Sequence, residues 1–562
     1  MSDSSQQELI ATRGAQMFPR LSDEELARLS KFGEPRSFRA GEMVAQVGAV
    51  GPGLMLIMSG EVEVTQHDHK AAGSHIVTHE RGNFMGELAQ LSGRPQLVDA
   101  KALSDVEGVA ISPDRLRALL IAEADLGERI MRALILRRMG LIASGAGPVI
   151  IGDEGNADVL RLVNFLRRNG HPYQRLDPVH DNCARTLVEK FQVTAGELPI
   201  VLCTDGKLIR NPSEHQLARC VGLLGPIDPD KVYDVVVVGS GPAGLATAVY
   251  AGSEGLSVLA IDCRSFGGQA GASARIENYL GFPTGISGMA LMGRAFSQSQ
   301  KFGVEIAIPD EAVKLECGND PCHLQLGTGE RIQARAVVLA TGARYRRLGV
   351  ERLDEFEGTS VHYWASPLEA DLCAGHDVAL VGGGNSAGQA TVFLAGRAKH
   401  VTVLARRPLS ETMSQYLIER IESLSNVDVV IGCEISELTG SDGALESIRW
   451  RERSTGAEVA RPARYLFSFI GAEPNTDWLA GTGIKLDERG FVLTDANAGE
   501  DRLPLETSRS GIFAVGDVRS GSVKRVAASV GDGAAVVASI HRYLAREPAQ
   551  PVIQQPNLIP AQ

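Results

Sequence analysis

The residues best suited to chemistry lie in two glycine-rich turns, each preceded by a short apolar strand and followed by a helix-like run. The first turn follows four valines, and its key positions are Gly239, Gly241, Pro242, Ala243 and Gly244. Glycines at this spacing permit a tight turn, close approach of a diphosphate and packing of the helix on the strand. The phosphates would lie at the helix N-terminus, where backbone N–H groups are free.

The residues that end the second strand of each unit differ in charge. Asp262 follows the first turn by 23 residues and is placed to accept from a ribose hydroxyl. After the second turn, the corresponding strand ends at Arg406 and Arg407. Paired guanidinium groups bind a 2′-phosphate, which a carboxylate would repel, so the second nucleotide is predicted to be NADPH rather than NADH. The alternative is two solvated arginines at a strand end. The positions predicted to contact this nucleotide are Gly382, Gly384, Asn385, Ser386, Ala387, Arg406 and Arg407.

Three further stretches, residues 266–283, 340–343 and 511–540, together with both turns resemble the low-molecular-weight thioredoxin reductases. The resemblance spans more than half of the chain and implies an FAD domain interrupted by an NADPH domain. It implies that Gly516 and Asp517 bind the ribityl chain, and that Arg525 and Val526 present backbone to the isoalloxazine edge. The other FAD contacts that the resemblance implies are Gly268, Gln269, Asn278, Thr341 and Gly342.

The redox dithiol of that family is missing. A Cys-x-x-Cys followed by Asp precedes the second turn in the family, whereas this chain has Ala365, Ser366, Pro367 and Leu368, followed by Glu369. Without a dithiol, flavin has no covalent relay to a disulfide substrate. No catalytic residue is therefore predicted here, and Glu369 is an acid with no evident group to protonate. The neighbouring Tyr363 and Trp364 either cover the flavin or pack as ordinary side chains.

The first 145 residues alternate short strands with glycine turns and end in an apolar helical stretch, a pattern that predicts a small antiparallel barrel. They resemble a cyclic-nucleotide-binding domain, with Gly86, Glu87 and Leu88 as its phosphate-cassette residues. In that family an arginine pairs with the cyclic phosphate, and here Gln96 followed by Leu97 stands in its place. A neutral amide cannot replace a guanidinium, so cyclic-nucleotide binding is doubtful. The alternatives are a reach-in by Arg94, or a barrel used only for dimerisation or docking.

Residues 146–226 alternate strand and helix patterns and resemble a thioredoxin/glutaredoxin-like domain. Pro199 lies where that fold keeps a cis-proline. No cysteine occurs at residues 153–156, where the redox motif would lie, and Cys183 instead begins the second helix of the segment. This second segment is therefore predicted to be a redox-inert adaptor.

Composition and spacing complete the prediction of a multidomain α/β chain. The predicted domains are the barrel at 1–145, the thioredoxin-like segment at 146–226, an FAD domain at 227–345 and 472–548, and an NADPH domain at 346–471. A net charge of −12 argues against nucleic acid or anionic membrane as a partner. No signal peptide or membrane span is evident, so the chain is expected to be cytoplasmic. The eight cysteines show no metal-site spacing and are predicted to be free thiols, with Cys317 and Cys322 flanking a hairpin tip.

Three functions fit this sequence. The first is an NADPH-dependent flavoprotein oxidoreductase that passes electrons from FAD to an unknown acceptor and is docked or regulated by the N-terminal modules. The resemblance also implies a homodimer. The second function is a sensor flavoprotein without fast turnover. The third is a thioredoxin-disulfide reductase that uses atypical thiols, for which Cys183 and Cys373 are the candidates.

Overall fold

The computed structural model describes residues 2–66, 74–153, 155–224, 227–316, 321–441 and 443–546. The first part, here called the barrel domain, contains two four-stranded antiparallel sheets ordered β1-β8-β3-β6 and β2-β7-β4-β5. Its elements are α1 (Ser2–Met17), α2 (Asp23–Ser30), β1 (Glu34–Phe38), β2 (Met43–Ala45), β3 (Leu54–Ser59), β4 (Val62–Gln66), β5 (Ser74–His79), β6 (Phe84–Met85), β7 (Asp99–Ala102), β8 (Val106–Ile111), α3 (Pro113–Ala122) and α4 (Ala124–Ser144).

The helical stretch predicted to close the barrel is two helices rather than one. Glu123 lies between them with φ −111° and ψ 76°, outside the helical region. The break lets α4 fold back closely on α3. The close approach requires glycine at position 127, because a Cβ there would lie 2.8 Å from the carbonyl oxygen of Leu120. Apolar periodicity alone does not reveal such a break, since both helices keep the same spacing of buried leucines.

The second segment is a small α/β unit with a four-stranded sheet ordered β10-β9-β11-β12, in which only the β9–β10 pair is parallel. The Leu198–Pro199 peptide bond is cis. The thioredoxin-like assignment remains a prediction that this topology supports. The elements of the segment are β9 (Val149–Ile151), α5 (Ala157–Arg168), β10 (Gln174–Leu176), α6 (Asn182–Lys190), β11 (Ile200–Leu202), β12 (Leu208–Arg210) and α7 (Glu214–Cys220).

One cysteine prediction is wrong for this segment. Cys203 and Cys220 form a disulfide with a Cα–Cα distance of 5.8 Å, so the eight cysteines are not all free thiols. The two residues lie 17 positions apart, and only the packing of α7 against the end of β11 brings them together. Cys317 lies outside the described residues, and its predicted hairpin partner Cys322 begins a strand.

The first glycine turn belongs to a seven-stranded sheet, and this part of the chain is here called the first-turn domain. Its order is β15-β14-β13-β18-β17-β16, with β29 paired to β18. Apolar side chains cover both faces of its parallel strands, as a sheet buried between helices requires. Its first elements are β13 (Val232–Val238), α8 (Pro242–Ser253), β14 (Val258–Ile261), α9 (Gly268–Gly271), α10 (Gly288–Lys301), β15 (Glu305–Ala307), β16 (Ala312–Glu316), β17 (Cys322–Leu326), β18 (Arg331–Leu339) and β19 (Ala343–Tyr345).

The second glycine turn lies in a five-stranded parallel sheet ordered β20-β27-β21-β22-β23, beside a three-stranded sheet β24-β25-β26; together they form the second-turn domain. The chain returns to the first-turn domain through β28, which pairs with β19. The remaining elements are α11 (Leu353–Phe356), β20 (Val361–His362), α12 (Pro367–Leu372), β21 (Asp377–Val381), α13 (Asn385–Ala395), β22 (His400–Ala405), α14 (Gln415–Glu422), β23 (Val427–Ile431), β24 (Cys433–Ser441), β25 (Ala444–Glu452), β26 (Glu458–Pro462), β27 (Tyr465–Ser468), β28 (Ala472–Pro474), β29 (Ile512–Ala514) and α15 (Val526–Leu544).

None of the helices in the described part of the chain combines the length and apolar character needed to cross a bilayer. The same residues contain no group of three or more His, Cys, Asp or Glu side chains arranged to hold a metal ion.

Candidate functional site

The first glycine turn has the geometry of a dinucleotide cradle. Gly239 follows β13 with φ +107°, and a Cβ there would overlap the carbonyl oxygen of Ala340. A Cβ on Gly244 would overlap the carbonyl oxygen of Gly239. Pro242 begins α8, where its fixed φ suits the first helical turn and its missing N–H costs nothing. The turn therefore fits a diphosphate at the start of α8.

Asp262, predicted to accept from a ribose hydroxyl, also braces this turn. Its carboxylate accepts from the backbone N–H groups of Ser240 at 2.8 Å, Arg264 at 3.0 Å and Ser265 at 3.2 Å. Burial raises the pKa of Asp262, and the three N–H donors act in the opposite direction. Since a carboxylate has about four acceptor sites, capacity for a hydroxyl remains.

The predicted isoalloxazine-side residues lie on loops that meet near the turn. Gly268, with φ +53°, packs against Gly241 so closely that a Cβ would lie 3.1 Å from the Gly241 Cα atom. Gln269 donates its side-chain amide to the carbonyl oxygen of Ala343. Asn278 lies on the loop that follows and is exposed. The first two positions are thus held against the cradle.

Thr341 and Gly342 cross between domains beside a residue that the sequence did not indicate. Asn475 donates its side-chain amide to the Thr341 carbonyl at 2.9 Å, and the Thr341 hydroxyl donates to the Asn475 carbonyl at 3.0 Å. Asn475 lies 134 residues further along the chain, and no motif marks it. The pair fixes the two strands that connect the domains.

The C-terminal FAD positions surround the start of α15. Gly516 has φ +71°, and its N–H donates to Asp532 at 3.1 Å. Burial raises the pKa of Asp517, and Lys524 donates to the Asp517 carbonyl at 2.7 Å. Arg525 and Val526 are the residues at which α15 begins, and their contact with the isoalloxazine edge stays a prediction.

The second turn, from Gly382 to Ala387, is more open than the first. Gly382 has φ +149°, and a Cβ there would lie 2.7 Å from the Phe469 carbonyl oxygen, against 2.2 Å for the corresponding contact of Gly239; a Cβ on Gly384 would meet no atom within 4 Å. The α13 helix begins at Asn385, whose side-chain oxygen accepts from the Ser414 N–H at 2.7 Å. Ser386 is exposed and Ala387 is buried.

Arg406 and Arg407 follow the end of β22 and are both exposed. Arg407 makes a loose ion pair with Glu411 at 3.7 Å. Exposure leaves both guanidinium groups able to bind an anionic ligand, and their assignment to a 2′-phosphate stays a prediction.

One cleft joins the two nucleotide sites. It has a volume of about 240 Å³ and lies between the first-turn and second-turn domains. Gln269 and Tyr345 line it from the first-turn domain, and Ser386 and Phe469 line it from the second-turn domain. Trp364, next to the loop that lacks the dithiol, lines the same cleft. Two ligands, one bound at each turn, could therefore meet in this cleft.

The loop at the missing dithiol is organised around Glu369, which is only 2% exposed. Its carboxylate accepts from the Ser366 N–H at 3.0 Å, from the Ser366 hydroxyl, and from the Trp364 indole N–H at 3.0 Å. Glu369 is thus the structural acceptor that caps α12, rather than a free acid. The hydrogen bond from the indole N–H to Glu369 also fixes the orientation of Trp364.

The two candidate substitute thiols belong to different parts of the chain. Cys373 is 0% exposed, and burial raises the pKa of its thiol to about 12. Cys183 is exposed in the first turn of α6 in the second segment. A buried thiol with a raised pKa is a poor nucleophile, so Cys373 is a packed core residue, as the sequence indicates.

The barrel domain contains a cavity of about 70 Å³ lined mainly by apolar side chains. Gly86, Glu87 and Gln96 line it, while Leu88 and Leu97 lie beside them in the chain. Neither carboxylate oxygen of Glu87 has a hydrogen-bond partner among the described residues. Arg94 is not among the described residues that line the cavity, and burial lowers its pKa to about 10.

A cation in the cavity was missed from the sequence. Arg137 of α4 donates to the carbonyl oxygens of Met17, Phe84 and Gly86 at 2.8 to 3.0 Å, and its Nη2 is buried without a partner in the described chain. Burial lowers the pKa of Arg137 to about 9. Its position in the middle of an apolar helix gave no signal of a ligand-facing role.

Comparisons with known proteins agree with this geometry. The profile of the family described as pyridine nucleotide-disulphide oxidoreductase matches residues 233–533, and that of the cyclic nucleotide-binding domain matches residues 35–123. The chain is 33% identical over 314 residues to the NADH dehydrogenase of Bacillus subtilis, covering 56% of this chain and 59% of that protein. The chain thus spans little more than half the length of such relatives.

Shorter relatives are matched almost in full. Thioredoxin reductase of Mycoplasma genitalium is 31% identical, with 55% of this chain and 94% of that protein covered. The crystal structure of Lactococcus lactis thioredoxin reductase in the FR conformation superposes with a TM-score of 0.52 at 27% identity, covering 56% of this chain and 99% of the other. The predicted α/β architecture, the barrel domain and the cofactors FAD and NADPH of thioredoxin-reductase-type proteins are thereby confirmed at the level of family.

Proposed function

Because the chain belongs to the pyridine nucleotide-disulphide oxidoreductase family, we propose that it is an NADPH-dependent flavoprotein reductase whose electron acceptor is not a disulfide. Hydride would pass from NADPH to FAD, and the reduced flavin would pass electrons to an acceptor that reaches the cleft. The acceptor itself has no sequence motif. Candidates by chemistry are a quinone, dioxygen or an iron–sulfur partner.

The observation that carries this proposal is the loop from residue 365 to residue 368. It contains no thiol, and its neighbour Glu369 is engaged in capping α12. Cys373, four positions after Glu369, is completely buried. Thiol–disulfide exchange needs an accessible thiolate, and this position offers none.

The residues present fit both cofactors. FAD would be held at its diphosphate by the first turn, at its ribose by Asp262, and along its ribityl chain by Gly516 and Asp517. NADPH would be held at the second turn, with Arg406 and Arg407 on its 2′-phosphate. The bound cofactors supply hydride transfer, and the protein brings the two sites to the common cleft lined by Gln269 and Ser386.

A regulatory role for the N-terminal modules is supported by a line of contacts between them. Arg138 of α4 lies 3.6 Å from Glu87 in the barrel, and its Nε donates to the carbonyl oxygen of Gly170 at 3.1 Å in the second segment. A ligand that engaged Glu87 would compete with Arg138. The sensor function remains the second candidate on this ground, with a cyclic nucleotide or another barrel ligand as its signal.

A homodimer is the assembly we propose. The α4 helix exposes Met139 and Ile142, which are 50% and 43% exposed in the single chain. Such apolar side chains on one long helix suit contact with a second copy.

The test is acceptor selectivity under steady-state NADPH oxidation. Wild-type protein should reduce menadione or ferricyanide and should leave an aromatic disulfide such as 5,5′-dithiobis(2-nitrobenzoate) unreduced. The double variant Ala365→Cys/Leu368→Cys restores the family spacing and should gain disulfide reduction, while Cys373→Ser should behave as wild type. Disulfide reduction by the wild type at a rate comparable to menadione reduction would overturn the proposal.

A further inference from the structure

The second segment inserts a turn between the barrel domain and the first-turn domain. This turn, at residues 167–170, ends α5. Asn169 is 7% exposed, and its side-chain amide donates to the Phe165 carbonyl of its own helix at 2.9 Å and to the Arg264 carbonyl of the first-turn domain at 3.0 Å. Buried bonds in both directions fix the register of the turn on the first-turn domain.

Arg168 extends from this turn to the cofactor cradle. Its Nη2 donates to the Gly268 carbonyl oxygen at 3.1 Å, and its guanidinium carbon lies 5.6 Å from the centre of the Trp364 ring. Gly268 in turn packs against Gly241, the glycine that lets a diphosphate approach the backbone. The guanidinium is therefore adjacent to the phosphate-binding turn, although it comes from a different domain.

The charge of Arg168 is only loosely compensated. Burial lowers its pKa from the usual value; Asp262, Glu369 and Glu214 attract the cation, and Arg264 repels it. Arg168 forms no ion pair with an acid among the described residues within the usual contact distance of about 4 Å. A partly buried cation without a paired acid is costly unless another anion completes its environment.

We propose that Arg168 supplies the positive charge that holds the FAD diphosphate, so that the second segment forms part of the cofactor site. The first turn itself, from Gly239 to Gly244, carries no cationic side chain and offers only N–H groups and the α8 dipole. A guanidinium beside it adds a charge-assisted, forked donor to an anion. The inference rests on FAD binding in the proposed function, and it gives the second segment a role that requires no thiol.

The experiment measures the dissociation constant of FAD from its fluorescence on titration into deflavinated full-length protein. Arg168→Gln should weaken FAD binding by about 10- to 100-fold, the loss of one or two hydrogen bonds to a charged group. Arg168→Lys keeps the charge but loses the forked pair of guanidinium donors, so its affinity for FAD should lie between those of Arg168→Gln and the wild type. Arg167→Gln, the neighbouring arginine in the same helical turn, is the matched control and should bind FAD as wild type does.

Three further measurements separate a direct role from domain docking and from misfolding. Asn169→Ala removes the docking bond to Arg264 and keeps the charge, so it should weaken FAD binding less than Arg168→Gln does. Thermal unfolding of each apoprotein shows whether the variants fold. The flavin midpoint potential of reconstituted Arg168→Gln should match wild type, because a contact at the diphosphate does not discriminate oxidised from reduced flavin.

The proposal is overturned if Arg168→Gln binds FAD within twofold of wild type. It is also overturned if Arg168→Gln, Arg168→Lys and Asn169→Ala weaken FAD binding equally, since docking alone would then explain the effect. Neither of these FAD-binding results bears on which molecule accepts electrons from the flavin. Failure of wild-type apoprotein to bind FAD at all would instead remove the proposed function itself.

Discussion

The two glycine turns share a sequence pattern and differ in how tightly the structure closes around them. At the first turn, Gly239 abuts the Ala340 carbonyl, Asp262 accepts from three backbone N–H groups, and the Gly267 N–H donates to the Ser240 carbonyl at 2.7 Å. At the second turn, a Cβ on the equivalent Gly382 would lie 2.7 Å from the Phe469 carbonyl oxygen, against 2.2 Å at Gly239. Ala387 stands where the first turn has Gly244, and the strand that follows ends in exposed arginines.

The difference suits a resident cofactor and an exchanging one. A rigid, covered turn with internal bracing loses little entropy on binding and releases its ligand slowly. An open turn whose charged residues are exposed can bind and release a nucleotide in each cycle. The predictions below test this contrast, in order of decreasing effect.

Replacing a glycine should produce the largest difference in stability and FAD content between variants of the two turns. Gly239→Ala places a Cβ into the Ala340 carbonyl at φ +107°, so we expect the free energy of unfolding to fall by about 3 kcal/mol or more and bound FAD to be lost. Gly382→Ala, at the equivalent position with its nearest atom at 2.7 Å rather than 2.2 Å, should cost less stability and keep its FAD. Absorbance of purified protein and urea unfolding measure both effects; equal losses in the two variants would remove the contrast.

Removing the acid of the first unit should act on structure as well as on ligand. Asp262→Ala leaves three N–H groups of the turn without their acceptor, so the free energy of unfolding should fall by about 2–3 kcal/mol even in apoprotein. Chemical denaturation of deflavinated protein gives this value. If only the FAD affinity changes and the apoprotein is as stable as wild type, the bracing role of Asp262 is wrong.

Removing the arginines of the second unit should act on ligand alone. The double variant Arg406→Ala/Arg407→Ala should weaken NADPH binding by about 10- to 100-fold, because the 2′-phosphate loses its charged donors. NADH binding and FAD content should stay as in wild type. Stopped-flow reduction of the flavin at varied nucleotide concentration reports both constants, and parallel losses for NADPH and NADH would contradict the 2′-phosphate assignment.

The ion pair between the first-turn and second-turn domains should contribute least to the free energy of unfolding. Arg420 of α14 donates to both carboxylate oxygens of Glu277 at 2.8 Å, but the arginine side chain is 48% exposed. Solvent screening limits such a pair, so Arg420→Gln should change the free energy of unfolding by at most about 1 kcal/mol. Urea unfolding against Arg407→Gln, which also lies on the second-turn domain, provides the comparison; a loss well above that value would make the pair a principal tie between the domains.

The parts of the fold that local sequence dictates were predictable. Gly239 and Gly382 are identified by strand, turn and helix signals within a dozen residues, and each lies at a positive φ that favours glycine. The cis bond before Pro199 was anticipated from the resemblance of its segment to the thioredoxin-like fold. Cys373 was expected to be a packed thiol, and it is completely buried.

The residues that the sequence did not reveal act across long separations. Arg168 reaches Gly268 from 100 positions away, and Asn475 pairs with Thr341 across 134. Cys203 and Cys220 meet only through the packing of their segment. Glu369 looked like a displaced acid, although Ser366 and Glu369 have the S-x-x-E spacing of a helix capping box, which would have indicated their bond. The Trp364 donor is the part of this arrangement that no spacing rule describes.

The most direct test of a reductase without a dithiol is the number of electrons it accepts. Anaerobic titration of the FAD-loaded protein with NADPH, followed through the flavin absorbance, should reach full reduction at one NADPH for each FAD, because no thiol pair stores a second electron pair. A requirement for two NADPH per FAD would contradict the account, since it would reveal a redox-active disulfide in electronic contact with the flavin, for which Cys203–Cys220 would be the candidate.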